Sequence, residues 1–320
     1  MAVSRILVTG ANGFVGRVVC RELVRGGHEV IGLVRRAGSC VDGVQEWVHD
    51  SKDFSGLGAD WPQGLSVDGV VHTAARVHVM RDAALDPLAE FRATNVDGSQ
   101  RVAEAAYRHG ARRMVFVSSI KAVAETDAGQ PLREDDPTSP QDAYGRSKLE
   151  AEQALASFGA RTGLDIVIVR PPLVYGPDVR ANFLSLMTAI ARGVPLPFGS
   201  IGARRSIVYV GNLAQALAQC ATDPRAARGC FHVADRDAPT VAELARSIGR
   251  HLRKPTRLVP MPTSWLRAAG WLMGRTESVD RLVGDLRVDT SRIQTVLGWQ
   301  PPYSTDEGLA ATAEWYSSTH

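Results

Sequence analysis

The chain has 320 residues, 44% hydrophobic, 22% charged and 6% aromatic, which is enough to bury a substantial core in two domains or one large one. A formal net charge of +3 is too small to argue for nucleic acid or an anionic membrane as partner. Cys20, Cys40, Cys220 and Cys230 are scattered, with neither zinc-site spacing nor the density of a disulfide scaffold, so no metal is expected and a reduced, cytoplasmic protein is the default.

The amino terminus runs straight into a glycine motif without the layout of a signal peptide. No apolar run is long enough to span a bilayer. Trp265-Leu266 to Trp271-Leu272-Met273 reads as a helix covering a substrate pocket, with a peripheral membrane contact as the alternative.

Ile6-Leu7-Val8 predicts a buried strand of a parallel sheet. It ends in TGANGFVG, in which Gly10 suits a tight turn, Gly13 a close approach to a pyrophosphate, and Gly16 close packing of helix on strand. The helical run RVVCRELVRGG follows, so a phosphate would face a helix amino end. Asn12, Phe14 and Val15 belong to the same dinucleotide-binding turn. HEVIGLVRR is the second strand. Where NAD-preferring sites hold a carboxylate against the ribose 2′-hydroxyl, this chain has Arg35 and Arg36. Two guanidiniums suit a 2′-phosphate and favour NADP(H), with NAD(H) possible; the competing reading is a solvated strand end.

QEWVHD is a third strand, with Asp50 a candidate partner for the adenine amino group. DGVVHTAARVHV is the fourth, its Ala74 and Ala75 small enough for the cofactor to lie close. His72 and His78 read as satisfied local histidines. A helix is expected from about Asp86 to His109, carrying Asn95, and RRMVFVSSI is a fifth strand ending in Ser118-Ser119. After a polar loop comes YGRSK opening a helix, with Tyr144 and Lys148 four apart on one face. A lysine charge beside a phenol favours its ionised form, so the pair could pass a proton. Taken alone the spacing also fits a solvated face.

LDIVIVRPPLVYGP is a sixth strand. Six alternations of strand and helix predict an α/β protein with a Rossmann-type doubly wound parallel sheet over residues 1–171. Residues 172–320 are expected to form mainly a smaller α/β substrate domain, with segments around 206–235 returning to the sheet.

Taken together, TGANGFVG, VVHTAA, NVDGS, FVSSI, YGRSK, VRPPLVYGP, RRSIVYVGNLA and the terminal VDTSR and LGWQPP resemble the extended short-chain dehydrogenase/reductases, in their nucleotide-sugar epimerase, dehydratase and reductase branch. The resemblance spans nearly the whole chain. It implies that Tyr144 is the general acid/base on the sugar oxygen. Lys148 would lower the tyrosine's pKa and bond the nicotinamide ribose, and Ser119 would share the substrate oxygen. Asn95 would support the cofactor end of the site or pack its helix. Arg205 stands where the epimerases place an arginine against the nucleotide-sugar phosphates, with Arg204 or a solvated face as the alternative. Arg281 lies near a second diphosphate position, out of register by about one, and Asn182 where a phosphate or the sugar is often contacted.

Departures from the family pattern narrow the choice. Ser119 is followed by Ile120-Lys121, without the two acids of the 4,6-dehydratases, which argues against dehydration. Leu173 replaces the asparagine of many 4-epimerases. SSIKAVAE, RPPLVYGP, ANFLSLM and LGWQPPYSTDEGL are most similar to the bacterial 4-ketoreductases of O-antigen synthesis, the UDP-N-acetylquinovosamine dehydrogenase type. The expectation is therefore an NADP(H)-using reductase of a UDP-4-keto-6-deoxy-N-acetylglucosamine-type nucleotide-diphosphate sugar. The alternatives are a UDP-sugar C4 epimerase, similar to UDP-glucose 4-epimerase, and a non-catalytic dinucleotide-sensing protein. The resemblance also implies a homodimer.

Overall fold

The computed structural model describes residues 3–77, 86–272 and 276–320. Its centre is a seven-stranded parallel sheet in the order β3-β2-β1-β4-β5-β6-β9. The strands are β1 Arg5–Thr9, β2 Glu29–Val34, β3 Val44–Val48, β4 Gly69–His72, β5 Arg113–Val117, β6 Asp165–Arg170 and β9 Cys230–His232. A separate parallel pair joins β7 Leu173–Tyr175 to β8 Ile207–Tyr209. Of the 206–235 stretch, then, β9 pairs with β6 in the main sheet, while β8 pairs outside it.

Period-two alternation feeds two cores from one strand. Ile6 and Val8 join Val19, Leu23, Leu213 and Leu217 on one face, beneath α1 (Phe14–Arg25) and, later in the chain, the helix Val210–Thr222. Leu7 joins Val102, Ala106, Phe116 and Leu155 on the other face. That face carries α2 (Pro87–Arg92), α3 (Gly98–Arg108) and α4 (Ala143–Thr162). The helix expected from Asp86 to His109 is thus one helical run interrupted by a π turn at Ala93–Asp97.

The later helices are α5 Ala181–Ala191, α6 Val210–Thr222, α7 Val241–His251, α8 Thr263–Leu272, α9 Thr276–Val283, α10 Ser291–Leu297 and α11 Thr305–Thr319. Side chains of α5, α7 and α11 (Phe183, Met187, Leu244, Ile248, Leu309, Tyr316) pack around Tyr175 and Ile207 in a third core. The buried Asp235 ties this part to the sheet. Its carboxylate accepts from Asn212 Nδ2 at 2.7 Å, Tyr209 N at 3.0 Å and the Tyr175 hydroxyl at 2.8 Å. In α8, Leu266 packs on Ile201 and Ala203, whereas Trp265, Trp271 and Leu272 are 70%, 76% and 81% exposed. Met273 and His78 lie outside the described residues. Among the described residues no helix is long and apolar enough to cross a membrane.

The first βα turn is fixed by contact distance. Gly10 has φ +67, and a Cβ on Gly16 would sit 2.1 Å from the Gly10 carbonyl oxygen, so backbone must move to admit any side chain. Gly16→Ala is expected to lower the thermal unfolding midpoint and weaken dinucleotide binding together, measured by a melt and by NADH fluorescence titration.

Candidate active site

Strand order reverses between β1 and β4, and in an open parallel sheet a ligand crevice forms at the carboxyl ends beside such a switch. The predicted cofactor residues follow those ends. Gly10, Asn12 and Gly13 come after β1, and Phe14, Val15 and Gly16 open α1. Arg35 and Arg36 follow β2 and Asp50 follows β3, all three exposed; Ala74 and Ala75, half-buried, follow β4. Asn12 Nδ2 donates to Ser39 Oγ at 3.0 Å, and Ser39 Oγ to the Arg36 carbonyl at 2.7 Å. The glycine turn is thereby stitched to the arginine-bearing loop, with the guanidiniums left in solvent.

His72 is fully buried between Thr9 Oγ1 at 2.7 Å and Ser99 Oγ at 3.0 Å, and burial pushes its pKa down to about 3. It is a satisfied core histidine. Asn95, buried in the π turn, donates to Ser147 Oγ at 2.9 Å and to the Arg76 carbonyl at 3.1 Å, and accepts from Arg76 N at 2.8 Å. It clamps the loop after β4 to α4, and a π turn is what aims it there.

The start of α4 is set by Asp142, whose Oδ1 accepts from Gly145 N at 2.7 Å, the side-chain cap a helix amino end needs. A Cβ on Gly145 would lie 2.3 Å from the Lys121 carbonyl oxygen. This close approach brings Tyr144 near Ser119, whose hydroxyl favours the ionised phenol. Tyr144 is half-buried, with its ring edge-on to Phe91 at 6.0 Å.

Lys148 shares the tyrosine's helix face, as the spacing predicts, but its ammonium runs down to β5. There it donates to the Val117 carbonyl at 2.8 Å and lies 4.6 Å from the Phe116 ring centroid. Burial pushes Lys148 down to about 7. Burial likewise pushes the Tyr144 phenol up to about 12; the Ser119 hydroxyl pulls it down and the Asp142 carboxylate adds to the rise. In this structure burial, the Ser119 hydroxyl and the Asp142 carboxylate set the phenol's acidity. Helical spacing sets a shared face, whereas the strand carbonyl decides where the ammonium goes.

Arg205 and Arg281 come together. Arg205 donates to the Arg281 carbonyl and, at 3.1 Å, to the Gly284 carbonyl. Arg281 pairs with Glu125 at 3.5 Å, Glu125 with Lys121 at 3.1 Å, and Lys121 with Asp142 at 2.7 Å. A chain of alternating charges thus runs from the two arginines to the cap of α4. Asn182 is exposed in the first turn of α5, and Leu173 is half exposed. Sequence reasoning missed Asp142, Lys121 and Glu125. A helix-capping aspartate just before YGRSK was a readable signal; the pairings across the loop were not.

Residues 6–233 match the model of the NAD dependent epimerase/dehydratase family. The chain belongs to that family. A UDP-glucose 4-epimerase of Vibrio cholerae is 40% identical over 315 residues, covering 97% of this chain and 94% of that one. Among solved structures, the UDP-glucose 4-epimerase of Thermus thermophilus in complex with NAD superposes with a TM-score of 0.79 at 23% identity, over 99% of this chain and 100% of that one. MoeE5, in complex with UDP-glucuronic acid and NAD, superposes with a TM-score of 0.78 at 26% identity, over 99% of this chain and 100% of that one. The protein is thus an enzyme of an NAD-dependent family. The first βα turn, where a Cβ on Gly16 would meet the Gly10 carbonyl oxygen, fits the close backbone approach such a dinucleotide needs.

A lysine whose pKa falls from 10.5 to about 7 on folding penalises the folded state fully below about pH 7, and the penalty fades as pH rises towards 10.5. Lys148→Met is therefore expected to abolish turnover yet raise the unfolding midpoint at pH 6–7, with the gain shrinking towards pH 10. Melts of both proteins across that range check this.

Proposed function

We propose that this enzyme is a UDP-sugar C4 epimerase that uses NAD. The observation that carries the reading is Tyr144 held where the Ser119 hydroxyl acts on its phenol, one helical turn from Lys148, in a chain 40% identical to a UDP-glucose 4-epimerase over nearly its whole length. The reductase expected from sequence motifs is thereby moved to second place.

When bound, NAD supplies hydride transfer at the sugar carbon. The chain's own residues supply the proton and the geometry. Tyr144, a phenol held protonated by burial, is set to give a proton to a C4 oxygen. To take one from a C4 hydroxyl it needs a nearby positive charge, and Lys148 is the group one turn away that can provide it. Ser119 holds the same oxygen and fixes its direction. Arg205 and Arg281 would anchor the diphosphate, a task for which guanidiniums are suited, and Asn182, exposed on α5, would contact a phosphate or the sugar. Leu173, where many 4-epimerases have asparagine, would face the sugar with an apolar surface.

The second reading, a 4-ketoreductase using NADP(H), is favoured by Arg35 and Arg36, exposed at the end of β2 with no carboxylate beside them in sequence. It predicts that neutralising both would weaken NADPH binding far more than NADH binding. Residues 1–171 as the dinucleotide domain and a homodimer built through α3 and α4 remain part of the proposal.

The deciding experiment is to denature freshly purified protein and identify the released nucleotide by mass spectrometry, then to supply UDP-galactose without added cofactor. Near-stoichiometric NAD and formation of UDP-glucose are expected. An empty site that prefers NADPH, with no epimerisation, would overturn the reading in favour of the reductase. Tyr144→Phe should lower kcat by about 10²–10⁴-fold, the range for loss of a general acid/base, while cofactor affinity changes little.

A further inference from the structure

Behind the Tyr144–Lys148 pair lies a second buried charge that the reaction above does not use. Tyr144, Lys148 and Glu152 recur at every fourth residue of α4 and form one stripe. Glu152 is 3% exposed and Arg170 is 6% exposed. Arg170, the last residue of β6, grips the carboxylate with two nitrogens: Nε to Oε1 at 3.0 Å and Nη2 to Oε2 at 2.6 Å. Its third nitrogen donates to the Glu134 carbonyl at 3.1 Å. The Ser118 hydroxyl donates to the same Glu152 carboxylate. Ser118 immediately precedes Ser119, and Ile120 N donates to the Pro171 carbonyl at 2.9 Å. One carboxylate thus joins the ends of β5 and β6 to the catalytic helix.

We propose that Glu152 is a positioning residue for the catalytic pair: clamped by Arg170 and Ser118, its fixed negative charge lies behind Lys148 and holds the ammonium in the site. The proposal rests on the reading of Tyr144 and Lys148 as the proton-handling pair. An arginine–glutamate pair of this kind is rarely kept for stability alone, since a well-packed apolar pair serves as well. Here it presents a carboxylate to a lysine whose charged form burial disfavours. Among the described residues, these groups face Lys148. Tyr144 and Glu152 come from its own helix, the Val117 carbonyl and Phe116 ring from β5, neutral His72 from β4, and Arg170 from β6 behind the carboxylate. Among the described residues, the Glu152 charge favours the ammonium, against the desolvation that opposes it.

The test is a double-mutant cycle between Glu152→Gln and Lys148→Met, read as unfolding midpoints at pH 6 and pH 9.5. Arg170 loses its partner in both members that carry Glu152→Gln, so that cost cancels. At pH 6 the double variant should melt higher than the two single shifts predict, by about 1–2 °C. At pH 9.5, with Lys148 neutral, the shifts should add. In turnover, Glu152→Gln should move the high-pH fall of kcat to lower pH by about one unit, with KM changed less than twofold, and Glu152→Asp should restore part of it. If Glu152→Gln does not fold, the joint E152M/R170M replacement, which leaves no lone buried charge, takes its place in the cycle.

Additive shifts at both pH values, or the same coupling at both, would overturn the proposal, because packing alone does not titrate. A Tyr144→Phe variant that keeps turnover would instead remove the C4 chemistry while leaving the Glu152–Lys148 coupling measurable.

Discussion

The site depends on how closely the first turn of α4 presses on the loop after β5. Gly145 stands against the Lys121 carbonyl where a Cβ would be only 2.3 Å away, and the Asp142 cap fixes the turn in that position. From this contact Tyr144 meets Ser119, Lys148 falls across Phe116, and Asn95 reaches Ser147. Nothing in that list is local in sequence except the helix itself. The sheet supplies the rest by placing β5 and β6 side by side.

Much of this was legible in the residues. Gly10 and Gly16 carry a backbone constraint that any sequence forming the same turn would need, so their roles could be argued before the fold was known. The Tyr144–Lys148 spacing likewise follows from helical periodicity. What periodicity cannot supply is depth. Lys148 and Glu152 are both almost fully buried, and a charged stripe on a helix ordinarily reads as a solvated face. The partner that makes such burial tolerable, Arg170, lies on a different strand. The pairing of β8 with β7 rather than with the main sheet was hidden for a similar reason. IVY is as good a strand for one sheet as for the other, and the choice is made by Asp235, which draws Tyr209, Tyr175 and Asn212 to one carboxylate.

The electrostatics run against the simplest picture of a tyrosine activated by its neighbour. Burial opposes both ionisations at once, keeping the phenol protonated and easing the proton off the lysine. The polar groups that resist this, Ser119 for the tyrosine and Glu152 for the lysine, sit on the loop after β5 and one turn further along α4, outside YGRSK. A motif can therefore be intact while its ionisation is governed by residues it does not contain.

The return of β9 to the sheet has a consequence for how the chain folds. β6 ends at Arg170, yet the strand that covers its outer edge is not made until Cys230–His232, and the helix covering the adjoining face spans Val210–Thr222. During synthesis the first 171 residues would expose an apolar strand edge and half of one core. The ring of α5 and the β7–β8 pair is laid down in the interval. Closure of the sheet must therefore wait for a long-range pairing across an intervening layer, and until then the edge of β6 is open to a competing chain.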